Sequence, residues 1–148
     1  MKTRMGIALL AMGGLILALY LTLYKMGMIG ELTCTVGSCE TVQLSKWATF
    51  LGLPVALWGV GAYLAVLGLA LVGLQPAWLE SRGISWLLVG LNTWNVAFSA
   101  WLTYLELFVI DAICMWCVIS AVLMVIILGL SLMDLRAVRG LPLAPDHR

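Results

Sequence analysis

The chain has 148 residues, of which 64% are hydrophobic and only 10% are charged, and its mean hydropathy is +1.10. A soluble domain has roughly 45–50% apolar and about 25% charged residues, so this composition indicates an integral membrane protein. Nucleic-acid-binding proteins and Rossmann-type cofactor domains are excluded, because the net charge is only +1 and the uncharged runs leave no room for a soluble domain. The alternating pattern of transmembrane β-strands is also absent from the sequence.

Four uncharged runs make up most of the chain and predict four membrane-spanning helices. They cover residues 5–24, 47–79, 83–105 and 112–133. A helix needs about 20 apolar residues to cross roughly 30 Å of hydrocarbon, so each run can span the membrane once. The second helix is expected to begin at Pro54, because proline is tolerated as a first helical residue. We therefore predict one all-α domain over residues 1–148, with helices at about 5–24, 54–74, 84–105 and 112–133.

The connections give three further expectations. The longest connection covers residues 25–50, and residues 44–51 place apolar side chains at i, i+3, i+4 and i+7. This spacing predicts a short interfacial helix, with an ordinary connector as the alternative. The first run is longer than the roughly 7–15 apolar residues of a signal peptide and is expected to be retained. The residues from Asp134 onward, with Pro142 and Pro145, are expected to form a polar tail.

The basic residues are distributed unequally between the two sides of the predicted bundle. With the N-terminus inside, six of the eight lysines and arginines lie on the cytoplasmic side, and only Lys25 and Lys46 lie outside. The positive-inside rule therefore predicts that both termini are cytoplasmic. The 25–50 loop and the start of the fourth helix then face the periplasm or the exterior.

Four cysteines are the chemically reactive set of the sequence. Cys34 and Cys39 lie in the first outer loop, and Cys114 and Cys117 lie at the start of the fourth predicted helix. The loop pair can close a small ring, and the C-x-x-C spacing puts both sulfurs on one helix face. All four fall on the outer side, so each pair can cycle there between dithiol and disulfide.

The position of the C-x-x-C pair favours redox chemistry. Asp111 is a candidate N-cap that would place Cys114 in the first turn, where free N–H groups and the helix dipole favour the thiolate. Cys114 is then expected to react with other thiols, and Cys117, one turn deeper, with a lipid-soluble oxidant. Three alternatives stay open: ordinary buried cysteines, two static disulfides, and a four-cysteine zinc site, which an oxidising compartment disfavours.

Two segments carry a resemblance to a known family. The first runs Cys34-Thr-Val-Gly-Ser-Cys39-Glu, then Ser45, then Trp47-Ala-Thr-Phe-Leu-Gly-Leu-Pro54-Val-Ala-Leu-Trp-Gly59 and Tyr63. The second runs Cys114-Met-Trp-Cys117-Val-Ile-Ser120-Ala121. In this order and spacing they resemble a bacterial member of the vitamin K epoxide reductase family, and the resemblance covers essentially the whole chain.

The resemblance implies an inner-membrane enzyme that transfers electrons from substrate thiols to a quinone, either ubiquinone or a menaquinone of the vitamin K type. By position, Cys34 and Cys39 are similar to the shuttle pair that faces the thiol partner. Cys114 and Cys117 are similar to the active-site pair that faces the quinone. Many bacterial members carry a fused thioredoxin-like domain, and none follows the fourth predicted helix here, so a separate thioredoxin-like partner outside the cytoplasm is expected.

The resemblance also implies a quinone pocket inside the bundle. The residues expected to bind the quinone are Ser45, Trp47, Val55, Trp58, Trp116 and Ala121. Animal members that reduce the epoxide carry hydrogen-bonding residues at the positions that match Val55 and Ala121. Neither of these side chains can donate a hydrogen bond, so plain quinone reduction is favoured over epoxide reduction. Separately, no metal site is expected.

The remaining polar residues have mainly structural interpretations. Asn92 and Asn95 are one turn apart and should point inward, since a lipid-facing amide is costly; packing is favoured over a quinone contact. Glu106 and Asp111 frame the outer turn, where solvation or capping is favoured over proton delivery. No ligand role is expected for His147. A non-catalytic scaffold whose cysteines form structural disulfides remains the second functional hypothesis.

Overall fold

The computed structural model describes residues 1–35 and 37–140, which are mostly helical. In chain order the elements are helices α1 (Lys2–Lys25) and α2 (Cys39–Leu44), a 3-10 turn (Lys46–Ala48), strands β1 (Thr49–Phe50) and β2 (Leu53–Pro54), helices α3 (Val55–Gly73) and α4 (Arg82–Leu105), a π-helical turn (Glu106–Ile110) and helix α5 (Met115–Arg139).

Within the described residues, three helices are long and apolar enough to cross a membrane, namely α1, α3 and α5. Helix α4 has 24 residues but does not meet this criterion, because its polar positions, such as Asn92 and Asn95, lower its hydropathy. The predicted class of helical membrane protein is therefore confirmed. Membrane crossing by α4, and hence a bundle of four spanning helices, remains a prediction.

The helix boundaries agree with the prediction for α3 and differ for α5. Pro54 is the N-cap of α3, one residue before the helix begins. Helix α5 begins at Met115 and continues to Arg139. Asp134, which was expected to begin a polar tail, is instead buried inside this helix. Residues 141–148, with Pro142, Pro145 and His147, lie outside the described residues.

The loop helix expected at residues 44–51 is wrong in its position, because the short helix of this loop is α2, at Cys39–Leu44. Helix α2 ends at Leu44, and Thr49–Phe50 pairs antiparallel with Leu53–Pro54. Leu51 and Gly52, between the strands, have φ values of 53° and 79°. Positive φ at both central residues is typical of the mirror-image turns that join twisted strands. The apolar spacing of this segment therefore belongs to a 3-10 turn and a hairpin.

One pair of neighbouring long helices packs less closely than the others. Helix α1 packs along α3 and α5, and α4 packs along α5, whereas α3 and α4 touch each other less. Close packing of α1 on α3 depends on Gly14, where an added Cβ would overlap the ring of Tyr63. On the opposite side, Asn92 Nδ2 donates to Ser131 Oγ at 3.1 Å and joins α4 to α5. Asn92 and Asn95 are both buried, which confirms their inward orientation.

A buried ion pair ties the helices together at the N-terminal end of α1. Arg4 Nε donates to both carboxylate oxygens of Asp134, at 3.0 and 3.1 Å. Its Nη1 donates to the carbonyl oxygens of Gly73 and Trp78, at 2.6 and 2.8 Å. Ser85 Oγ accepts from Arg4 Nη2 and donates to Asp134. This network joins α1 and α5 to the connection between α3 and α4.

Candidate active site

The four cysteines lie together at the other end of the helices. Cys34 and Cys39 form a disulfide, and Cys39 is the first residue of α2. Cys114 precedes α5, Cys117 lies in its first turn, and both are free thiols. Cys39 and Cys114 are buried in one small apolar cluster, against which Cys34 and Cys117 pack. The structure thus brings the two cysteine pairs of the sequence into one site.

Several contacts hold the cysteine loop against the start of α5. The N–H of Ser38 donates to the carbonyl oxygen of Ile113 at 2.8 Å. Gly37 has a φ of 83°, and an added Cβ there would overlap the Ile113 carbonyl oxygen, so glycine permits this approach. Trp116 Nε1 donates to the carbonyl oxygen of Thr33 at 2.6 Å. The loop disulfide is therefore fixed beside the C-x-x-C pair.

The prediction that Asp111 caps the fourth long helix is wrong. The π-helical turn prolongs the helical structure beyond α4. Asp111 is the residue that ends this turn, in the left-handed conformation with a φ of 54°. Helix α5 consequently begins three residues later than expected, and Cys114 itself is the N-cap, whose Sγ accepts the N–H of Cys117 at 3.4 Å. Cys114 still lies at a helix N-terminus, where the dipole favours a thiolate.

Glu106 contacts the C-x-x-C pair from the π-helical turn. Its Oε2 accepts the N–H of Cys114 at 3.1 Å. Only 4% of the residue is exposed. Burial raises the pKa of Glu106 above its usual value, and the hydrogen bonds from Cys114 and Cys117 partly oppose this rise. A solvated role is therefore wrong for Glu106, whereas the capping role that the sequence also favoured agrees with its bond to the Cys114 N–H at the start of α5.

Gln43 contacts the same two sulfurs from α2. Its Nε2 lies 3.5 Å from Cys117 Sγ and 3.9 Å from Cys114 Sγ. The pKa of Cys114 is lowered, first by the hydrogen bond from the Cys117 thiol and to a smaller degree by Gln43, while burial and the charge of Glu106 act in the opposite direction. Donors on each side thus favour the thiolate form of Cys114.

A cavity of about 800 Å³ lies between α3 and α4, and Cys117 forms part of its wall. The wall is largely apolar and aromatic, and it includes three of the six residues expected to bind a quinone: Trp47, Val55 and Trp58. The Phe50 ring of the hairpin stands edge-on to Trp58 at 5.9 Å and to Trp101 at 6.3 Å. The hairpin therefore contributes an aromatic edge to the cavity.

The structure places the other three expected pocket residues outside the described wall of this cavity. Ser45 ends α2, and its Oγ donates to the carbonyl oxygen of Val42 at 2.7 Å. Trp116 holds the cysteine loop and packs edge-on to Tyr20 at 5.8 Å. Ala121 borders a separate, shallower depression between α4 and α5. The geometry gives Ser45 and Trp116 positions that support the loop.

Gln43 is the site residue that sequence reasoning missed, and Glu106 is the one to which it gave only a solvated or capping role. Gln43 follows Cys39 by four residues, so a helix beginning at Cys39 puts both on one face, but the predicted helix began after Gln43. Glu106 is an acidic residue eight positions before Cys114, and only the π-helical turn brings its carboxyl back to the cysteines.

The comparison with known families bears on the whole site. The sequence model of the Vitamin K epoxide reductase family matches residues 5–132, which contain all four cysteines, Gln43 and Glu106. The chain belongs to the vitamin K epoxide reductase family. Membership confirms the resemblance recognised in the sequence and supports membrane oxidoreductase activity. Proteins of this family use quinones in general.

Proposed function

We propose that this chain is a membrane thiol:quinone oxidoreductase, which passes electrons from a thioredoxin-like partner through two cysteine pairs to a membrane quinone. One observation carries the proposal. Cys117 stands in the wall of the apolar cavity, while Cys114, one turn away, packs against the Cys34–Cys39 disulfide. The C-x-x-C pair therefore connects a loop disulfide to a site suited to an apolar molecule.

The cavity fits a quinone of the ubiquinone or vitamin K type. Its volume lies within the roughly 300–1,000 Å³ that is usual for small-molecule sites. The quinone ring and its substituents would contact Trp47, Val55 and Trp58. Helices α3 and α4 pack less closely than the other neighbouring helices, so the space between them offers access from the hydrocarbon. A bound quinone would supply an acceptor for two electrons and two protons.

The accessibility of the sulfurs supports an order for the first exchange steps. Cys34 is half-buried and Cys39 is buried, so a partner thiolate is expected to attack Cys34 and release Cys39. The second partner thiol then completes the partner disulfide and frees Cys34. Each exchange conserves the number of disulfides, so the two electrons now reside on the loop pair.

The second exchange moves these electrons to the C-x-x-C pair. The Cys39 thiolate attacks Cys114 of an oxidised Cys114–Cys117 pair and releases Cys117. Cys34 then attacks Cys39, so the loop disulfide forms again and Cys114 leaves as a thiolate. A lowered pKa makes Cys114 a good leaving group, and the result is the bonding pattern observed, an oxidised loop pair beside two free thiols.

The proposed location is the bacterial inner membrane, with both termini in the cytoplasm and the cysteines outside. The excess of lysine and arginine in the predicted cytoplasmic segments supports this orientation. An oxidising compartment is also where disulfide exchange is useful, so the enzyme would support disulfide-bond formation there.

The direct experiment supplies purified protein with a reduced thioredoxin-like protein and a soluble quinone, and follows the quinone absorbance. Consumption of quinone that is lost in Cys117→Ser supports the proposal. A folded protein that consumes no quinone would instead favour the non-catalytic scaffold with structural disulfides.

A pair of double variants tests the relay order. Cys34→Ser/Cys117→Ser retains Cys39 and Cys114, and Cys39→Ser/Cys117→Ser retains Cys34 and Cys114. Under a mild oxidant, the first variant is expected to form its single disulfide faster, because Cys39 and Cys114 are buried in one cluster. Peptide mapping identifies the link, and faster formation in the second variant would reverse the roles of the loop cysteines.

A further inference from the structure

Reduction of a quinone needs protons as well as electrons, and both would come from the thiols of the C-x-x-C pair. Cys114 is fully buried, and Cys117 faces the cavity. Oxidation of this dithiol to a disulfide releases two electrons and two protons. The described wall of the cavity contains a single carboxyl group, that of Glu106. The same carboxyl binds the Cys114 N–H, and Glu106 and Cys117 both lie in the wall of this cavity.

We propose that Glu106 is the proton carrier between the C-x-x-C pair and the molecule reduced in the cavity. The inference rests on the proposed quinone reductase function, and it assigns the missing proton pathway at that site. The Glu106 carboxylate accepts the proton of the Cys117 S–H and donates it to a carbonyl oxygen of the quinone. The second proton is the one that Cys34 loses when the loop disulfide forms again and that the Cys114 thiolate takes up. It passes from Cys114 to the neighbouring Cys117, and Glu106 carries it in turn.

The balance of this step is complete with the quinone as oxidant. Two S–H bonds break, one S–S bond forms between Cys114 and Cys117, and the quinone takes up two electrons and two protons to become the hydroquinone. Glu106 begins and ends as a carboxylate. Its neighbours suit this cycle, because the N–H of Cys114 stabilises the carboxylate while burial favours its protonated form.

Titratable and polar groups near Glu106 come from helices α5, α2 and α3 and from the end of its own turn. Helix α5 presents Cys114 and Cys117, and α2 presents the neutral Gln43, whose carbonyl oxygen binds Lys25 of α1. Tyr63 of α3 also borders the cavity, but its hydroxyl is engaged with Ser120 at 2.8 Å. Asp111, the other acid of this turn, is exposed.

The principal test is Glu106→Gln, with Asp111→Asn as the matched control. Glutamine keeps an oxygen that can accept the Cys114 N–H but cannot take a proton. We expect the turnover number for quinone reduction to fall on the order of a hundredfold, as for removal of a general base. Asp111→Asn makes the same charge change in the same turn, and asparagine tolerates the left-handed conformation, so its effect should be less than threefold.

Two readouts separate proton transfer from a structural role. The first is the rate at which the reduced loop pair, Cys34 and Cys39, reduces an oxidised Cys114–Cys117 pair in the absence of quinone, which should be nearly unchanged in Glu106→Gln, since that exchange does not use the cavity. The second is chemical rescue: added formate should restore part of the quinone reduction of Glu106→Ala, and chloride at equal ionic strength should not.

The outcomes decide between this inference and the underlying function. If the unmodified protein reduces quinone and Glu106→Gln does so at a similar rate, Glu106 carries no proton and the inference is wrong. A Glu106→Gln variant in which disulfide exchange is slowed equally would show that Glu106 only positions Cys114. Absence of quinone reduction in the unmodified, folded protein would instead overturn the proposed function.

Discussion

Replacement of Arg4 by methionine is expected to remove a large part of the folding stability. Arg4 is 1% exposed, and its guanidinium donates to Asp134, Ser85 and the carbonyl oxygens of Gly73 and Trp78. Methionine can fill the volume of the arginine stem but can donate none of these hydrogen bonds. Asp134 would then remain buried with the Ser85 hydroxyl, at 2.6 Å, as its remaining side-chain donor.

The magnitude follows from leaving a buried charge without its partner. Removal of one member of a buried ion pair costs about 3–5 kcal/mol of unfolding free energy. The double variant Arg4→Met/Asp134→Leu removes both charges, so it should lose less than the sum of the two single variants. We expect the coupling between the sites to be about 1–3 kcal/mol, as is usual for residues in one network.

The assay is reversible unfolding in mixed detergent micelles by increasing amounts of sodium dodecyl sulfate, followed by circular dichroism. The matched control is Lys2→Met, which removes an exposed positive charge two residues away. A loss in Arg4→Met no greater than in Lys2→Met would refute the reasoning. Strict additivity in the double variant would equally show that Arg4 and Asp134 are not coupled.

Three further variants or probes test other features of the structure. Asn95→Leu is expected to raise the unfolding free energy in the same micelle assay by about 1 kcal/mol, because the buried Asn95 amide nitrogen has no hydrogen-bond partner among the described residues; a loss of stability would contradict this. An impermeant thiol reagent added to reduced intact cells should label Cys34, and labelling only after permeabilisation would invert the proposed orientation. Val55→Ala should change the rate of quinone reduction by less than about threefold, since valine has no hydrogen bond to lose, and a hundredfold loss would mean several kcal/mol of unexplained contact.

The features that could be predicted from sequence are those with local causes. Long uncharged runs predicted the long helices, and Pro54 marked the start of α3 because proline suits the end of a helix that lacks hydrogen-bonded N–H groups. The C-x-x-C spacing indicated two sulfurs on one face, and the polar Asn92 indicated an inward position. Each inference needed only residues that are close together in the sequence.

The features that sequence reasoning missed depend on contacts between distant residues. Asp134 reads as the beginning of a polar tail until Arg4, 130 positions earlier, is known to be its partner. Because of the π-helical turn, α5 begins only at Met115, and no residue type in the turn predicts a π-helical conformation. The hairpin places Leu51 at positive φ, where a non-glycine residue is uncommon, so an amphipathic helix was the more natural prediction.

The contact of Gln43 with the sulfurs of Cys114 and Cys117 also arises from tertiary packing, and its effect on Cys114 can be measured. The Gln43 amide donates toward Cys117 Sγ and Cys114 Sγ, and it contributes to the lowered pKa of Cys114. Gln43→Leu removes this donor without a large change in volume. The pKa of Cys114 should therefore rise, because its thiolate loses one stabilising hydrogen bond.

The measurement is the rate of Cys114 alkylation by iodoacetamide in the reduced protein as a function of pH, resolved by mass spectrometry. The thiolate is the reactive form, so the midpoint of the profile reports the pKa. We expect the midpoint to move to higher pH in Gln43→Leu, with slower alkylation at neutral pH and nearly equal rates at high pH. Thr41→Ala, an exposed change in the same helix, is the control and should leave the profile unchanged. A midpoint that stays in place or moves to lower pH would show that Gln43 only fills space beside the sulfurs and does not contribute to the lowered pKa of Cys114.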